Sequence, residues 1–442
     1  MKILALRTEG RSDRAKRELS VTKPFGRSRT LTIMLVACEE SGDRLGAALM
    51  RALKKSTGGA VRFVGVGSHD MALEGLSSLF PIDDLAIIGF GGIARQLPTI
   101  LRRIRNTAQA IVDLRPDVLV IIDSPEFTHR VARRVRAAAP SIPIVNYVSP
   151  SVWAWRPWRA RSMRSYIDHV LALLPFEPRV YQQLGGPPCT YVGHPLVEQL
   201  DELRPNEKEA RRRFATPPVV VVLPGSRSME IRRLLATFGD AIALAQARYG
   251  PLEVVLPTLP HLADRVHEAT KGWPLKPQIV VTADEKYAAF RVARAALAKS
   301  GTVTLELALS GVPMVAAYKT SLLEEAIVRL TFSIQTVILT NLVLGENVVP
   351  EFLQRACRPQ PLAEGLLSLL GDTPERRRQV DAFARLDAIM EIGKHIPSES
   401  AAEIVLRLAA PKLADRNKAV DPHSVPNAAQ ACLLGRAHEV IK

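Results

Sequence analysis

Side chains capable of chemistry recur in this chain directly behind short apolar runs. Val118–Ile122 is followed by Asp123-Ser124-Pro125-Glu126-Phe127-Thr128. Carboxylates at the mouth of a buried strand are poorly placed for stability and well placed to take a proton from an attacking hydroxyl, so Glu126 and Asp123 are candidate general bases. The competing reading is that Asp123 ties down the loop behind it. Leu31–Ala37 leads into Cys38-Glu39-Glu40-Ser41-Gly42-Asp43. Amides at such a strand-to-helix turn hold an anion or a sugar hydroxyl, with Glu39, Ser41 and Asp43 as contacts; alternatively, Ser41 or Asp43 caps the helix.

Val219–Leu223 opens onto Pro224-Gly225-Ser226-Arg227. Gly225 permits close backbone approach, and the cationic, bidentate Arg227 beside Ser226 suits a diphosphate whose charge grows as it departs. Residues 295–298 open onto Ser300-Gly301-Thr302-Val303-Thr304-Leu305-Glu306. Its amides and the Ser300 and Thr302 hydroxyls form a phosphate cradle around Gly301, and Glu306, one turn on, accepts hydrogen bonds from a ribose. Residues 147–156 place Trp153, Trp155 and Arg156 behind another apolar run, as a wall for a sugar face or an acyl chain or as an ordinary buried aromatic corner.

Those runs are strands. Leu31–Ala37, Val61–Val66, Val118–Ile122 and residues 144–148 and 170–174 alternate with amphipathic helices, and a second series follows at Val219–Leu223 and residues 252–255, 279–281, 295–298 and 314–317. That rhythm means parallel sheets with crossover helices. The expected organisation is a flexible basic extension (1–30), a first Rossmann-like domain (31–205), a second (206–409) and a loosely ordered tail (410–442). The last helices before the tail return to the first domain or to a partner subunit. The polar stretch 201–213 carries the link. Open α/β sheets bind ligands at the carboxyl ends of their strands, so the chemistry belongs in a cleft between the two.

The 442 residues suffice for two cores, and a net charge of +15 calls for an anionic partner. Nucleic acid is disfavoured: aromatic residues make up only 5% and none interleave with Arg or Lys as a base-stacking platform. Cys38, Cys189, Cys357 and Cys432 form no CxxC pair, which argues against a disulfide framework or a zinc site and fits a reducing cytoplasm. Gly65-Val66-Gly67 is half a dinucleotide fingerprint with Asp70 where its third glycine belongs, so NAD is discounted. No apolar run reaches the ~20 residues of a spanning helix. Any membrane contact is therefore expected to be peripheral; the apolar stretch with Ile87, Ile88, Phe90, Ile93 and Leu97 that precedes Arg102, Arg103 and Arg105 reads by default as a buried helix and alternatively as a lipid-binding surface.

Taken together, residues 147–156, Leu173-Leu174-Pro175-Phe176-Glu177, Val192-Gly193-His194-Pro195, residues 223–227 and 300–306, and Asn341-Leu342 followed by Glu351 resemble the lipid-A-disaccharide synthase family over residues 31–409. The resemblance implies α/β architecture: two Rossmann-like, doubly wound domains facing a cleft, the GT-B fold. It implies an inverting glycosyltransferase of lipid A biosynthesis, which joins UDP-2,3-diacylglucosamine to 2,3-diacylglucosamine 1-phosphate at the cytoplasmic face of the inner membrane. No cofactor or metal is implied, and a homodimer is left open. Arg227 then falls to the UDP diphosphate, Asn341 and residues 300–306 to the nucleotide, and residues 82–97 to acyl chains and membrane. The family carries Gly at Cys38 and Asp at Glu126, with Asp123 as the other base; Asp117 also matches a family acid, or is simply the turn leading into its strand. The alternatives are another GT-B UDP-sugar enzyme, an epimerase or lipid-linked sugar transferase, and an inactive lipid- or sugar-nucleotide-binding protein.

Overall fold

The computed structural model describes residues 30–82, 93–320 and 336–418. Its first sheet contains β1 (Leu31–Ala37), β2 (Val61–Val66), β3 (Ser77–Ser78), β4 (Val118–Ile122), β5 (Ile144–Tyr147), β6 (His169–Ala172) and β7 (Cys189–Tyr191). The order is β3-β2-β1-β4-β5-β6-β7 with all pairings parallel. The second contains β8 (Val219–Leu223), β9 (Glu253–Pro257), β10 (Gln278–Val280), β11 (Ala295–Lys299), β12 (Met314–Tyr318) and β13 (Glu351–Leu353), in the order β10-β9-β8-β11-β12-β13, also parallel. Both sheets reverse winding direction once, between β1 and β4 and between β8 and β11, and such switch points open a crevice at the strand ends.

The central strands are apolar throughout because helices cover both faces. Every residue of β4 and β8 is buried. Helix Glu40–Thr57 shows the complementary logic: Leu45, Leu49, Met50 and Leu53, three or four residues apart, are buried against the sheet. It stops at Gly58, whose left-handed φ of 60° turns its N–H back to the Lys54 and Lys55 carbonyls.

The polar link folds into two short helices, Leu200–Leu203 and Glu207–Arg212, the second started by reciprocal hydrogen bonds between Asn206 and Glu209. Buried Arg213 then fastens it to the second domain, donating to the carbonyls of Gly311, Phe290, Arg291 and Ser310.

The chain ends by crossing back. Helix Pro397–Lys418 continues past residue 410 and packs Ala401, Ala402, Ile404, Val405 and Ala409 into the apolar cluster of Leu45, Leu49 and Val120. Burying Ile404 and Val405 contributes roughly 1.5–3 kcal/mol each, and Lys55–Glu399 (2.6 Å) and Ser398 N–H to Glu198 (2.8 Å) fix the register. The sheets also meet near their carboxyl ends: Leu174, with Trp153 and Phe176 packed beside it, shares one cluster with Ala298, Leu305 and Ile338. None of the helices among the described residues is long and apolar enough to cross a membrane.

Candidate active site

Asp123, Ser124, Val148 and Arg156 all have positive φ, between 45° and 74°, and all sit on the loops after β4 and β5. Each such conformation costs a non-glycine residue on the order of 1–3 kcal/mol, a strain that concentrates where side chains must be aimed. The Asp123 amide donates to the Tyr147 carbonyl at 3.0 Å, locking the two strand ends together. Burial raises the Asp123 carboxyl above the usual range; the Ser124 amide opposes this, and the Glu39 charge adds to it. Ser124 Oγ donates to Glu39 Oε1 at 3.1 Å, so the mouths of β1 and β4 hold two carboxylates across the switch point.

Glu126 is in the reverse situation. Arg159 donates to it at 2.6 Å, with Arg156 at 3.5 Å and Arg130 at 3.7 Å, and these guanidiniums, Arg159 foremost, hold its carboxyl below the usual range. A base works best with a pKa near the operating pH, so these two environments favour Asp123 for proton abstraction.

Behind this mouth stands a polar scaffold. Trp153 Nε1 donates to buried Glu177 at 3.2 Å, and the Trp153 ring meets Phe176 edge-on at 5.5 Å. Trp155 lies under the Arg156 guanidinium at 4.1 Å. Trp153 thus packs inward on Phe176 and Glu177, while Trp155 pairs with Arg156. His129 is buried between Tyr166 OH (3.0 Å) and Asn146 Oδ1 (3.2 Å), and burial pulls its pKa down to about 4; Asn146 in turn donates to the Val148 carbonyl at 3.0 Å.

In the second domain, Gly225 has φ 120°, and a Cβ there would stand 2.4 Å from Glu230 Oε2. That carboxylate accepts the Ser226 and Arg227 amides at 3.1 and 3.3 Å, and it pairs with Lys299 at 3.0 Å and Arg227 at 3.8 Å. The Ser226 and Arg227 amides are therefore engaged by the chain itself. The cationic groups remain at the mouth, with Arg227 exposed and Lys299 at the end of β11.

Several expected contacts have structural duties instead. Asp43 is buried, and its two oxygens accept the Ser68 and Asp70 amides at 2.6 and 2.8 Å; it ties the β1 and β2 loops together, holding the first turn of helix His69–Leu73 rather than capping its own helix. Ser41 is exposed and caps nothing. Asn341 is 2% exposed, with its amide committed to the Val348 and Val349 amides and the Val349 carbonyl; it shapes the loop rather than reaching outward. Ser300 Oγ donates to the Val337 carbonyl at 3.0 Å, and Glu306 pairs with Lys286 at 2.7 Å. Glu351 accepts from Thr336 Oγ and the Val337 and Ile338 amides. Asp117, buried at the opposite end of β4, accepts the Thr32 amide at 2.9 Å, which fits the turn reading.

Thr302 is exposed at the start of helix Val303–Leu309, behind Gly301. Of the apolar stretch, Ile87, Ile88 and Phe90 lie outside the described residues, Ile93 opens helix Ile93–Leu114, and Leu97 is 44% exposed. A cavity of about 450 Å³ lined by Asn341, Glu351, Gly365 and Gln379 lies away from the strand mouths, since Gln379 bonds Met314 at the start of β12.

Two doubly wound domains with charged groups at both switch points define the GT-B arrangement of UDP-sugar enzymes. Solved members of that fold superpose on the chain. A UDP-GlcNAc 2-epimerase from Neisseria meningitidis bound to UDP-GlcNAc matches with TM-score 0.57 at 13% identity, over 85% of this chain and 100% of that one. MurG of Acinetobacter baumannii matches with TM-score 0.50 at 13% identity, over 85% and 99%. In sequence, the lipid-A-disaccharide synthetase family model matches residues 33–405. A lipid-A-disaccharide synthase of Rhodopseudomonas palustris (strain BisB18) is 62% identical over 86% of this chain and 97% of its own, and one of Nitrobacter hamburgensis is 61% identical over 85% and 94%. The chain belongs to the lipid-A-disaccharide synthase family and is a glycosyltransferase of lipid A biosynthesis.

Proposed function

We propose that the first domain presents 2,3-diacylglucosamine 1-phosphate and the second UDP-2,3-diacylglucosamine, and that one displacement joins them. The acceptor 6-hydroxyl oxygen attacks the anomeric carbon, its proton passes to Asp123, the new C–O bond forms opposite the leaving group, and the bond to UDP breaks with inversion. The observation that carries this is the contrast between the carboxylates: Asp123 is raised by burial at the β4 mouth, whereas Glu126 is lowered by three arginines. Arg227 and Lys299, at the β8 and β11 mouths, neutralise the departing diphosphate without a metal ion. Ser226, Gly301 and Thr302 line the nucleotide side; Glu39, Trp153 and Trp155 line the acceptor side.

Exposed Leu97, with the exposed Arg102 and Arg105 further along its helix, supports a peripheral seat on an anionic membrane at the cytoplasmic face of the inner membrane. Mass spectrometry of the product made in mixed micelles tests the reaction. Asp123→Asn is expected to lose roughly 100- to 10,000-fold in kcat and Glu126→Gln less than about 10-fold, with turnover unchanged by chelators. The reverse ranking moves the base to Glu126, and absence of disaccharide in the wild type rejects the substrates.

A further inference from the structure

The arginines around Glu126 are more numerous than one carboxylate requires. Arg130, Arg156 and Arg159 bring three positive charges to a single negative one, leaving a local surplus near +2. That matches a phosphate monoester, which carries about −1.5 to −2 at neutral pH. We propose that these three guanidiniums form the binding site for the phosphate of the acceptor sugar, with Glu126 as the counter-ion that gathers them. The assignment rests on the acceptor reading given above and extends it to the group that distinguishes the acceptor from the donor.

The cluster is built rather than incidental. Arg156 takes a left-handed φ of 53° and lies on the Trp155 ring at 4.1 Å, so backbone and side chain are both held. Arg159 is the inner member, 12% exposed in its side chain and 2.6 Å from Glu126, whereas Arg156 and Arg130 are 43% and 47% exposed and keep N–H groups facing outward. A ligand approaching from solvent meets Arg130 and Arg156 directly, and it meets the inner Arg159 by exchanging with the 62%-exposed Glu126 carboxylate. A planar fork pairs with two phosphate oxygens at once, and several such forks around one tetrahedral anion fix its orientation as well as its presence.

Position decides which phosphate. Glu126 and Arg130 lie one turn apart at the start of helix Pro125–Ala138, directly behind β4, and Arg156 and Arg159 follow the adjacent strand β5. Asp123 is three residues from Glu126, at most roughly 11 Å along the chain. A hexosamine with its 6-hydroxyl on Asp123 therefore spans to the cluster with its anomeric substituent. The diphosphate of the donor is served separately by Arg227 and Lys299 in the other domain.

The test compares two acceptors, the 1-phosphate and its methyl glycoside, in nonionic micelles free of anionic lipid. Arg159→Gln is expected to lower kcat/KM for the phosphorylated acceptor by about 10- to 100-fold, to change the methyl glycoside by less than about threefold, and to leave the donor KM unaltered; Arg159→Lys recovers part of the loss. Arg156→Gln, at a more exposed site, repeats the comparison should the inner substitution disturb folding. Equal losses on both acceptors overturn the assignment, as does a loss that appears only with anionic vesicles, which would make the cluster a headgroup site. Wild-type enzyme that couples neither acceptor rejects the acceptor reading itself, a result distinct from either of these.

Discussion

Replacing Glu177 by Gln offers a quantitative check on how the wall behind the site is held. Glu177 is 3% exposed and accepts hydrogen bonds from the Trp153 indole at 3.2 Å and the Leu174 amide at 3.0 Å. Burial raises its carboxyl from the ordinary 4.5 to about 7 against the pull of those donors. Below pH 4.5 the folded and unfolded chains both carry the proton, and the contribution of the group to stability is fully present. As the pH rises to 7 the unfolded chain ionises first, and stability drains away. The gap of roughly 2.5 pH units, at about 1.4 kcal/mol per unit, comes to ~3 kcal/mol.

Gln is the isostere of the protonated acid and does not titrate. The variant should therefore gain ~3 kcal/mol relative to wild type between pH 4.5 and 8. His129 and His194, pulled from 6.5 to about 4 by burial, act in the opposite sense: their contribution is present above 6.5 and lost as the pH falls towards 4. They are common to both proteins and cancel in the difference. The assay is urea unfolding of both proteins at the two pH values, followed by intrinsic tryptophan fluorescence. The same difference in midpoint at both values would show that Glu177 titrates as an ordinary surface acid, and the burial argument would fail.

Three other substitutions separate structural from binding roles. Arg227→Gln and Lys299→Gln should each weaken competitive inhibition by UDP roughly 10- to 100-fold, the worth of one charge-assisted hydrogen bond, and unaltered inhibition would remove them from the diphosphate. Asn341→Ala leaves the Val348 and Val349 amides and the Val349 carbonyl without their buried partner. Each such group costs about 1–3 kcal/mol, so thermal stability should drop sharply; a raised donor KM with an unchanged melting temperature would restore the direct nucleotide contact.

The strands that the sequence reveals most clearly are those whose burial writes itself into composition. β4 and β8 are all apolar because both faces are covered, and their boundaries match the runs. The sequence reading missed β3 (Ser77–Ser78), β7 (Cys189–Tyr191) and β13 (Glu351–Leu353), two or three residues each at sheet edges, which exist through backbone pairing and carry no hydrophobic period. The candidate site divides similarly. Asp123 and Arg227 stand out in the sequence because they follow such runs, and so does Ser300, whose hydroxyl the structure commits to the Val337 carbonyl. The duties of Asp43 were not, since its partners Ser68 and Asp70 arrive from the next strand loop. Arg159, Arg130, Lys299 and Glu230 escaped notice because each looks like an ordinary surface charge until its neighbours converge; a basic residue ending an apolar strand, as Lys299 does, was the one available signal.

Those neighbours explain why acids that look alike in sequence cannot be exchanged in role. Asp123 and Glu177 are raised by burial, Glu126 is lowered by arginines, and Glu230 is bound to two amides and two cations. A general base must meet one proton at hydrogen-bond distance, so lengthening it by a methylene moves the oxygen off its target. A counter-ion tolerates the same change, because charge attraction to Arg130, Arg156 and Arg159 does not depend on one hydrogen-bond distance. Glu in place of Asp at position 126 is thus disruptive if that residue abstracts the proton and benign if it gathers Arg130, Arg156 and Arg159. Glu126→Asp, assayed beside Asp123→Glu, applies that distinction: the counter-ion role expects near-normal turnover in the first and a deep loss in the second, and near-normal turnover in Asp123→Glu would refute Asp123 as the base.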